Sequence, residues 1–304
     1  MLGIAATIAP VFLIVFLGFI LRRIGIADDR WTEILNKYGL YIGFPALIFH
    51  SLIQVENLGN LPAGLLVLTA LLLPVVMIAT WSACTRLHII GSLRNTYVIC
   101  VFYGNVAYLG FPVVVALLPG SEAVVSAFAA VYLAVLFTVG IAFLEYTRGG
   151  QSGFVVVFRS MLGNPLLLAV LGGITCVAFG LRLPAVLLRP LSMLSATASP
   201  IVLIALGVFI ARHTLSAVSR RHALAVSGLK LLALPVIFWC AGSLLPTHPD
   251  MRIAVLEAAM PVGLTPFALA ELYPLDREII SSSIVFTTLF SALTLFVCAL
   301  LLGL

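Results

Sequence analysis

The sequence predicts an all-α integral membrane protein of ten transmembrane helices in two inverted five-helix repeats, forming one membrane domain over 1–304. Three observations predict it. First, 62% of the residues are hydrophobic and only 9% are charged, whereas a soluble domain carries about a quarter charged residues. Second, apolar runs of roughly the 20 residues needed to cross a bilayer recur along the whole chain with short breaks between them. Third, landmarks recur at a half-chain offset: Pro10 with Pro165, Pro45 with Pro200, Pro74 with Pro235 and Arg94 with Arg252, separated by 155, 155, 161 and 158 residues. Because each half holds an odd number of helices, the second half enters the membrane upside down relative to the first.

The first helix, 3–21, has no basic stretch before it and no small-residue cleavage site, and Arg22-Arg23 follow it. It therefore reads as a retained helix rather than a signal peptide. The second, 33–53, carries Pro45, and the third, 63–84, carries Pro74. The fourth, 94–118, is long enough to span but holds Gly104, Gly110 and Pro112 at its middle. Proline lacks the N–H that would bond the carbonyl of Tyr108, and glycine weakens the turns on either side, so this helix should break at mid-membrane. Freed carbonyls and the Asn105 amide cannot face lipid at that depth, so the break must be buried in protein or line a wet cavity. The fifth helix, 121–147, closes repeat one (1–147). A short cytoplasmic loop, 148–158, leads to repeat two (159–304), with helices at 160–180, 185–211, 222–245, 251–273 and 278–302. The ninth is the counterpart of the fourth, and it too is interrupted mid-span, by Pro261, Gly263 and Pro266. A pair of Pro/Gly-interrupted spans at matching positions of two inverted halves is the sequence mark of a transporter's binding site.

The net charge of +5 does not point to nucleic acid, because the 16 basic residues sit singly or in pairs at helix ends. They read as topology signals. With the N-terminus outside, the inside loops hold eleven of them: Arg22, Arg23, Arg30, Arg86, Arg94, Arg148, Arg159, Arg212, Arg220, Arg221 and Arg277. The outside loops hold three, Arg182, Arg189 and Arg252. Lys37 and Lys230 fall within helices near inner ends, where they can snorkel. Both termini are thus expected outside. The five cysteines are dispersed in or beside apolar runs without metal-ligand spacing and read as packing thiols. No cofactor or metal is expected.

The stretch Gly104-Asn105-Val106-Ala107-Tyr108-Leu109-Gly110-Phe111-Pro112 resembles the G-N-x-x-x-L-G-x-P signature of the auxin efflux carrier family, which includes plant PIN-type carriers and many bacterial permeases. Gly43-Phe44-Pro45-Ala46-Leu47-Ile48-Phe49-His50-Ser51 resembles its second-helix P-x-L-x-F segment. Ser199-Pro200 through Leu206-Gly207 resembles its seventh helix, and Ala258-Ala259-Met260-Pro261 with Leu269-Ala270 its ninth. The resemblance implies that helices four and nine cross at mid-membrane in a multi-pass protein of the cell inner (plasma) membrane. Two departures stand out: Leu264-Thr265-Pro266 replaces the Asn that many relatives carry after M-P, and the long central loop of many plant members is absent.

If the two breaks meet, the second half-helices begin near Pro112 and Pro266, and their free N–H groups attract an anion without a dedicated basic side chain. The expected substrate is a small organic anion, a mono- or dicarboxylate such as malonate, malate or an auxin-like acid. Asn105 would grip it with two donors and an acceptor. Gly104, Tyr108, Gly110, Pro112, Pro261, Thr265, Pro266 and Ser51 complete the expected substrate site. His50 could titrate near neutral pH and couple transport to protons, or sit hydrogen-bonded in the bundle. Glu257, an acid within an apolar run, is the sharpest charged candidate for the same role, although Arg252 a turn and a half away also allows a structural interaction. Partners are the substrate and the bilayer, with dimerisation left open. A channel or sensor on the same fold is the alternative. A lipid-modifying intramembrane enzyme would need an acid pair, H-E-x-x-H or G-x-S-x-G, none of which is found.

Overall fold

The computed structural model describes residues 2–55, 61–148, 163–213, 216–244 and 251–304. Apart from Arg148, the predicted central loop lies outside them. The described residues are almost wholly helical. The helices are α1 (Leu2–Arg23), α2 (Asp29–Tyr38), α3 (Phe44–Leu52), α4 (Ala63–Arg86), α5 (Gly91–Phe102), α6 (Phe111–Leu117), α7 (Glu122–Arg148), α8 (Pro165–Ala178), α9 (Ala185–Arg212), α10 (Ala217–Gly228), α11 (Leu234–Gly242), α12 (Met251–Ala258), α13 (Thr265–Leu269) and α14 (Arg277–Leu301). Six helical runs are long and apolar enough to cross a membrane, the run from Ala217 to Gly242 among them. The long helices turn Leu13, Phe16, Leu71, Ile78 and Leu293 outward, each more than half exposed. Such a continuous apolar surface is stable only against lipid.

Three junctions share one device. A single π-helical turn at Gly39–Gly43, Val106–Gly110 and Leu229–Ala233 precedes α3, α6 and α11. Each of those helices has proline as its second residue: Pro45, Pro112 and Pro235. The residue before each proline donates its N–H five residues back, Phe44 to Gly39, Phe111 to Val106 and Leu234 to Leu229. The widened turn makes room for the proline ring and satisfies the backbone around it. Proline at these positions therefore widens the helix rather than ending it, and Pro10, Pro74, Pro190 and Pro200 lie inside uninterrupted helices. This corrects the expected place of the fourth-helix interruption. It falls at Tyr103–Asn105, between α5 and the π turn, and not at Pro112.

The helices pack in two groups. In the first, α1 lies along α9, and α3 packs on α8 and α9. Gly18 and Gly207 set the α1–α9 approach: a Cβ on Gly207 would overlap the Val15 carbonyl oxygen, and one on Gly18 that of Ile204. Small residues at a crossing let two membrane helices touch through their backbones. In the second group α4 packs on α5 and α7, α10 on α14, and α11 on α12. At one end of the bundle Asp29 pairs with Arg22 at 3.0 Å and with Arg212 at 3.5 Å, tying α2 to the ends of α1 and α9.

Candidate functional site

The two Pro/Gly-interrupted stretches meet. Gly104 and Val262 form an antiparallel β-bridge. The Asn105 N–H donates to the Pro261 carbonyl at 2.8 Å, and the Gly263 N–H donates to the Tyr103 carbonyl at 3.0 Å. The reason is elementary: backbone groups released by an interruption must find partners within the protein, and each stretch supplies the other's. Gly263 packs on this backbone, its Cβ position 3.4 Å from the Gly104 carbonyl oxygen, an ordinary contact distance. The remaining donor, Val262 N–H, bonds Thr287 Oγ1 of α14 at 3.1 Å. Tyr103 anchors the pair to α7 by donating its hydroxyl to the Leu136 carbonyl at 2.6 Å, with its ring against Gly140.

Asn105 is buried, and its amide nitrogen has no hydrogen-bond partner among the described residues. A buried donor in that condition is costly unless a ligand supplies an acceptor. The second stretch offers no equivalent amide. Thr265 is half-buried as the first residue of α13, followed by buried Pro266, and α13 is only five residues long.

Two charged side chains of the second half reach into the first-half stretch. Lys230, in the π turn between α10 and α11, is fully buried, with Nζ 3.4 Å from the Tyr132 hydroxyl and above the Tyr132 ring. It lies at Gly104, where a Cβ would come within 2.9 Å of Nζ. Glu257, on the last turn of α12, is also buried, and its carboxylate lies against Gly110. Neither carboxylate oxygen has a hydrogen-bond partner among the described residues. No ion pair joins Lys230 and Glu257 among the described residues. The carbonyl of Glu257, which Pro261 cannot bond, accepts from Met260 N–H at 3.3 Å.

Lys230 corrects an expectation. It does not snorkel from a helix end, because the helical run begins at Ala217 rather than near 222, placing Lys230 midway along the span ending at Gly242. The sequence signal was there: a lysine inside an apolar span is a site candidate by default. Glu257 is likewise buried.

His50 and Ser51 lie apart from the backbone pair. They line a cavity of about 490 Å³ with Pro112, Gln54, Glu122 and Ser199. Phe111 and Pro112 belong to its wall, so the cavity ends one residue from Gly110. Tyr108 faces α3, its ring stacked on Phe44 with centroids 4.8 Å apart. At the opposite end of the bundle, Phe267 of α13 packs edge-on to Phe209 at 5.0 Å and to His213 at 5.6 Å, between the guanidinium groups of Arg212 and Arg277. The structure thus forms two clusters from the expected residues: Gly104, Asn105, Gly110 and Pro261 at the backbone pair, and His50, Ser51 and Pro112 at the cavity.

The sequence model of a family described as membrane transport protein matches residues 4–153 and 153–299. A protein of Methanothermobacter thermautotrophicus named "Uncharacterized transporter" is 29% identical over 97% of both chains. One of Rhizobium meliloti named "Putative malonate transporter" is 27% identical over 97% of this chain and 94% of its own. Auxin efflux carrier component 4 of Arabidopsis thaliana is 27% identical over 49% of this chain and 25% of its own length.

Proposed function

We propose a function for this chain from the membrane transport protein family to which it belongs together with the auxin efflux carriers: it is a secondary carrier that moves a small organic anion, a mono- or dicarboxylate, across the cytoplasmic membrane by alternating access. The family is one of membrane transporters, so a small-molecule substrate and a membrane setting are its premises. The observation that carries the rest is the backbone pair at Gly104 and Val262, with the unpartnered Asn105 amide beside it.

The packing supports the ten-helix reading. Let α1 correspond to α8, α2–α3 to α9, α4 to α10–α11, α5–α6 to α12–α13, and α7 to α14. The contact of α1 with α9 then becomes that of α8 with α3. The contact of α4 with α7 becomes that of α10–α11 with α14, and α4 with α5 becomes α11 with α12. Repeat one, 1–147, and repeat two, 159–304, are on this reading inverted copies whose broken helices cross at mid-membrane. The first packing group is a scaffold and the second moves against it. The cavity between them at one end and the Phe267 cluster closing the other fit a carrier caught open to one side.

An anionic substrate suits the chemistry at the crossing. The Asn105 amide supplies a donor, Lys230 supplies positive charge, and the Rhizobium meliloti relative named for malonate supports counting a dicarboxylate among the candidates. The test is a proteoliposome flux screen of malonate, malate, lactate and indole-acetate. Saturable counterflow of a carboxylate, weaker competition by its amide and loss of flux in Asn105→Ala at normal expression are expected. Non-saturating flux would indicate a channel, and equal competition by the amide would defeat the anion assignment.

A further inference from the structure

Lys230 and Glu257 are the only charged side chains buried among the described residues. We infer that they form a proton-exchange site: Glu257, buried at Gly110 on the same stretch that Lys230 meets at Gly104, takes up one proton each time an anionic carboxylate enters the crossing. This inference rests on the carrier reading and supplies its coupling ion.

Geometry comes first. The two groups approach the Gly104–Gly110 stretch at its two glycines, Lys230 at Gly104 and Glu257 at Gly110, with Asn105 between them in sequence. Gly110, which the Glu257 carboxylate touches, adjoins Phe111 and Pro112 of the cavity wall in the chain. Charge comes second. An ionised carboxylate without hydrogen bonds in a dry interior is tolerated only if a nearby positive charge offsets it. With Glu257 ionised and Lys230 protonated the cluster is neutral overall and gives an incoming anion no net attraction. Once Glu257 is protonated, the charge on Lys230 is uncompensated and matches one negative charge of the substrate. Anion and proton therefore bind cooperatively, and each raises affinity for the other by the same factor. The step is a proton transfer alone: a hydronium ion gives its proton to a carboxylate oxygen, leaving water, and the reverse releases it on the other face.

Among the described residues no other buried side chain carries a charge. The titratable side chain in contact with the pair is Tyr132 on α7, its hydroxyl 3.4 Å from Lys230 Nζ, a phenol that is neutral at pH 7 by its ordinary value. Glu145 on α7 accepts the Tyr273 hydroxyl at 2.7 Å, His222 on α10 is engaged by the Tyr97 hydroxyl at 2.8 Å, and Arg86 and Arg277 stand at the ends of α4 and α14.

The test measures malonate affinity of the purified protein in detergent between about pH 7 and about pH 9, where the ligand stays ionised. Kd should rise toward tenfold per pH unit in the wild type. In Glu257→Gln it should be flat with pH, and in Glu257→Asp the slope should persist with a shifted midpoint. Adding malonate to weakly buffered wild-type protein should also take up about one proton per ligand, read by a pH dye, so the inference does not depend on the variants folding. A wild-type slope retained in Glu257→Gln, or lost instead in His50→Gln, overturns the assignment. Malonate binding by the wild type that is independent of pH, with no proton uptake, removes the proton site and leaves the carrier. Failure of the wild type to bind or exchange any of the four screened carboxylates removes both.

Discussion

The Glu257 carboxylate lies directly against the α-carbon of Gly110, so that a methyl group placed there would overlap it. Gly104 bears the same relation to Lys230, but less tightly, with 2.9 Å to Nζ. The difference predicts an order. Both side chains are buried, but lysine has four methylenes through which to withdraw, whereas glutamate has two. Gly110→Ala should therefore lower malonate exchange by roughly 5- to 100-fold, the range expected of overpacking a close-fitted interior, and Gly104→Ala by less. Equal exchange in the two variants, measured in the same proteoliposomes, would show that the glycines do not seat these charges.

The positions of the helices were legible in the sequence, because span length and apolar composition are set by bilayer thickness. The two Pro/Gly-interrupted stretches were legible too, because glycine and proline leave a visible mark, but that they meet was implied only by the family resemblance. What proline does at each mark was not legible. Pro45, Pro112 and Pro235 sit after widened turns inside continuing helices, while the chain opens at Tyr103–Asn105, where no proline stands. The opening depends on partners 156 and 160 residues away, Pro261 for Asn105 and Gly263 for Tyr103, that satisfy the freed backbone, and no local pattern carries that. Lys230 was missed for a related reason: a helix start drawn five residues late turned a mid-span charge into a terminal one.

Gly207 makes a second steric prediction, at the α1–α9 crossing. A Cβ there meets backbone, the Val15 carbonyl and, at 2.7 Å, the Phe19 nitrogen, which cannot swing aside as a side chain can. The two helices would have to separate. Gly207→Ala should cost about 1–3 kcal/mol and appear as a lower midpoint of thermal unfolding in detergent. Leu13→Ala, facing outward on α1, the other helix of the crossing, at 62% exposure, is the control and should leave the midpoint near that of the wild type.

Orientation follows from the basic residues and can be read with an impermeant maleimide on intact cells, after the five native cysteines are replaced. Ile26→Cys, between α1 and α2 and 58% exposed, should label only once the membrane is opened. Leu181→Cys, between α8 and α9 and 57% exposed, should label from outside. The reverse pattern would turn the whole protein over and make the cavity beside His50 face the cytoplasm.

Phe267 carries the last prediction, because it joins the two packing groups at the end away from the cavity. Its ring contacts Phe209 and His213 and lies under Arg212 and Arg277. Such contacts together contribute about 2 kcal/mol to holding that end shut, roughly 30-fold in the closed-to-open ratio. Phe267→Ala should therefore speed labelling of a cysteine introduced at Thr265, from that face, by about the same factor. His213 adds a pH dependence of known sign. Burial pushes its imidazole below the ordinary value, with Phe209 carbonyl as its hydrogen-bond partner and Arg212 nearby. The closed arrangement thus prefers the neutral ring, is fully stable above the ordinary histidine value of about 6.5, and weakens as pH falls through it because the open form gains the proton first. Labelling at Thr265→Cys should rise on acidification below about pH 6.5 and stay level in His213→Gln. Labelling indifferent both to Phe267→Ala and to pH would mean that this aromatic cluster packs the bundle without closing it.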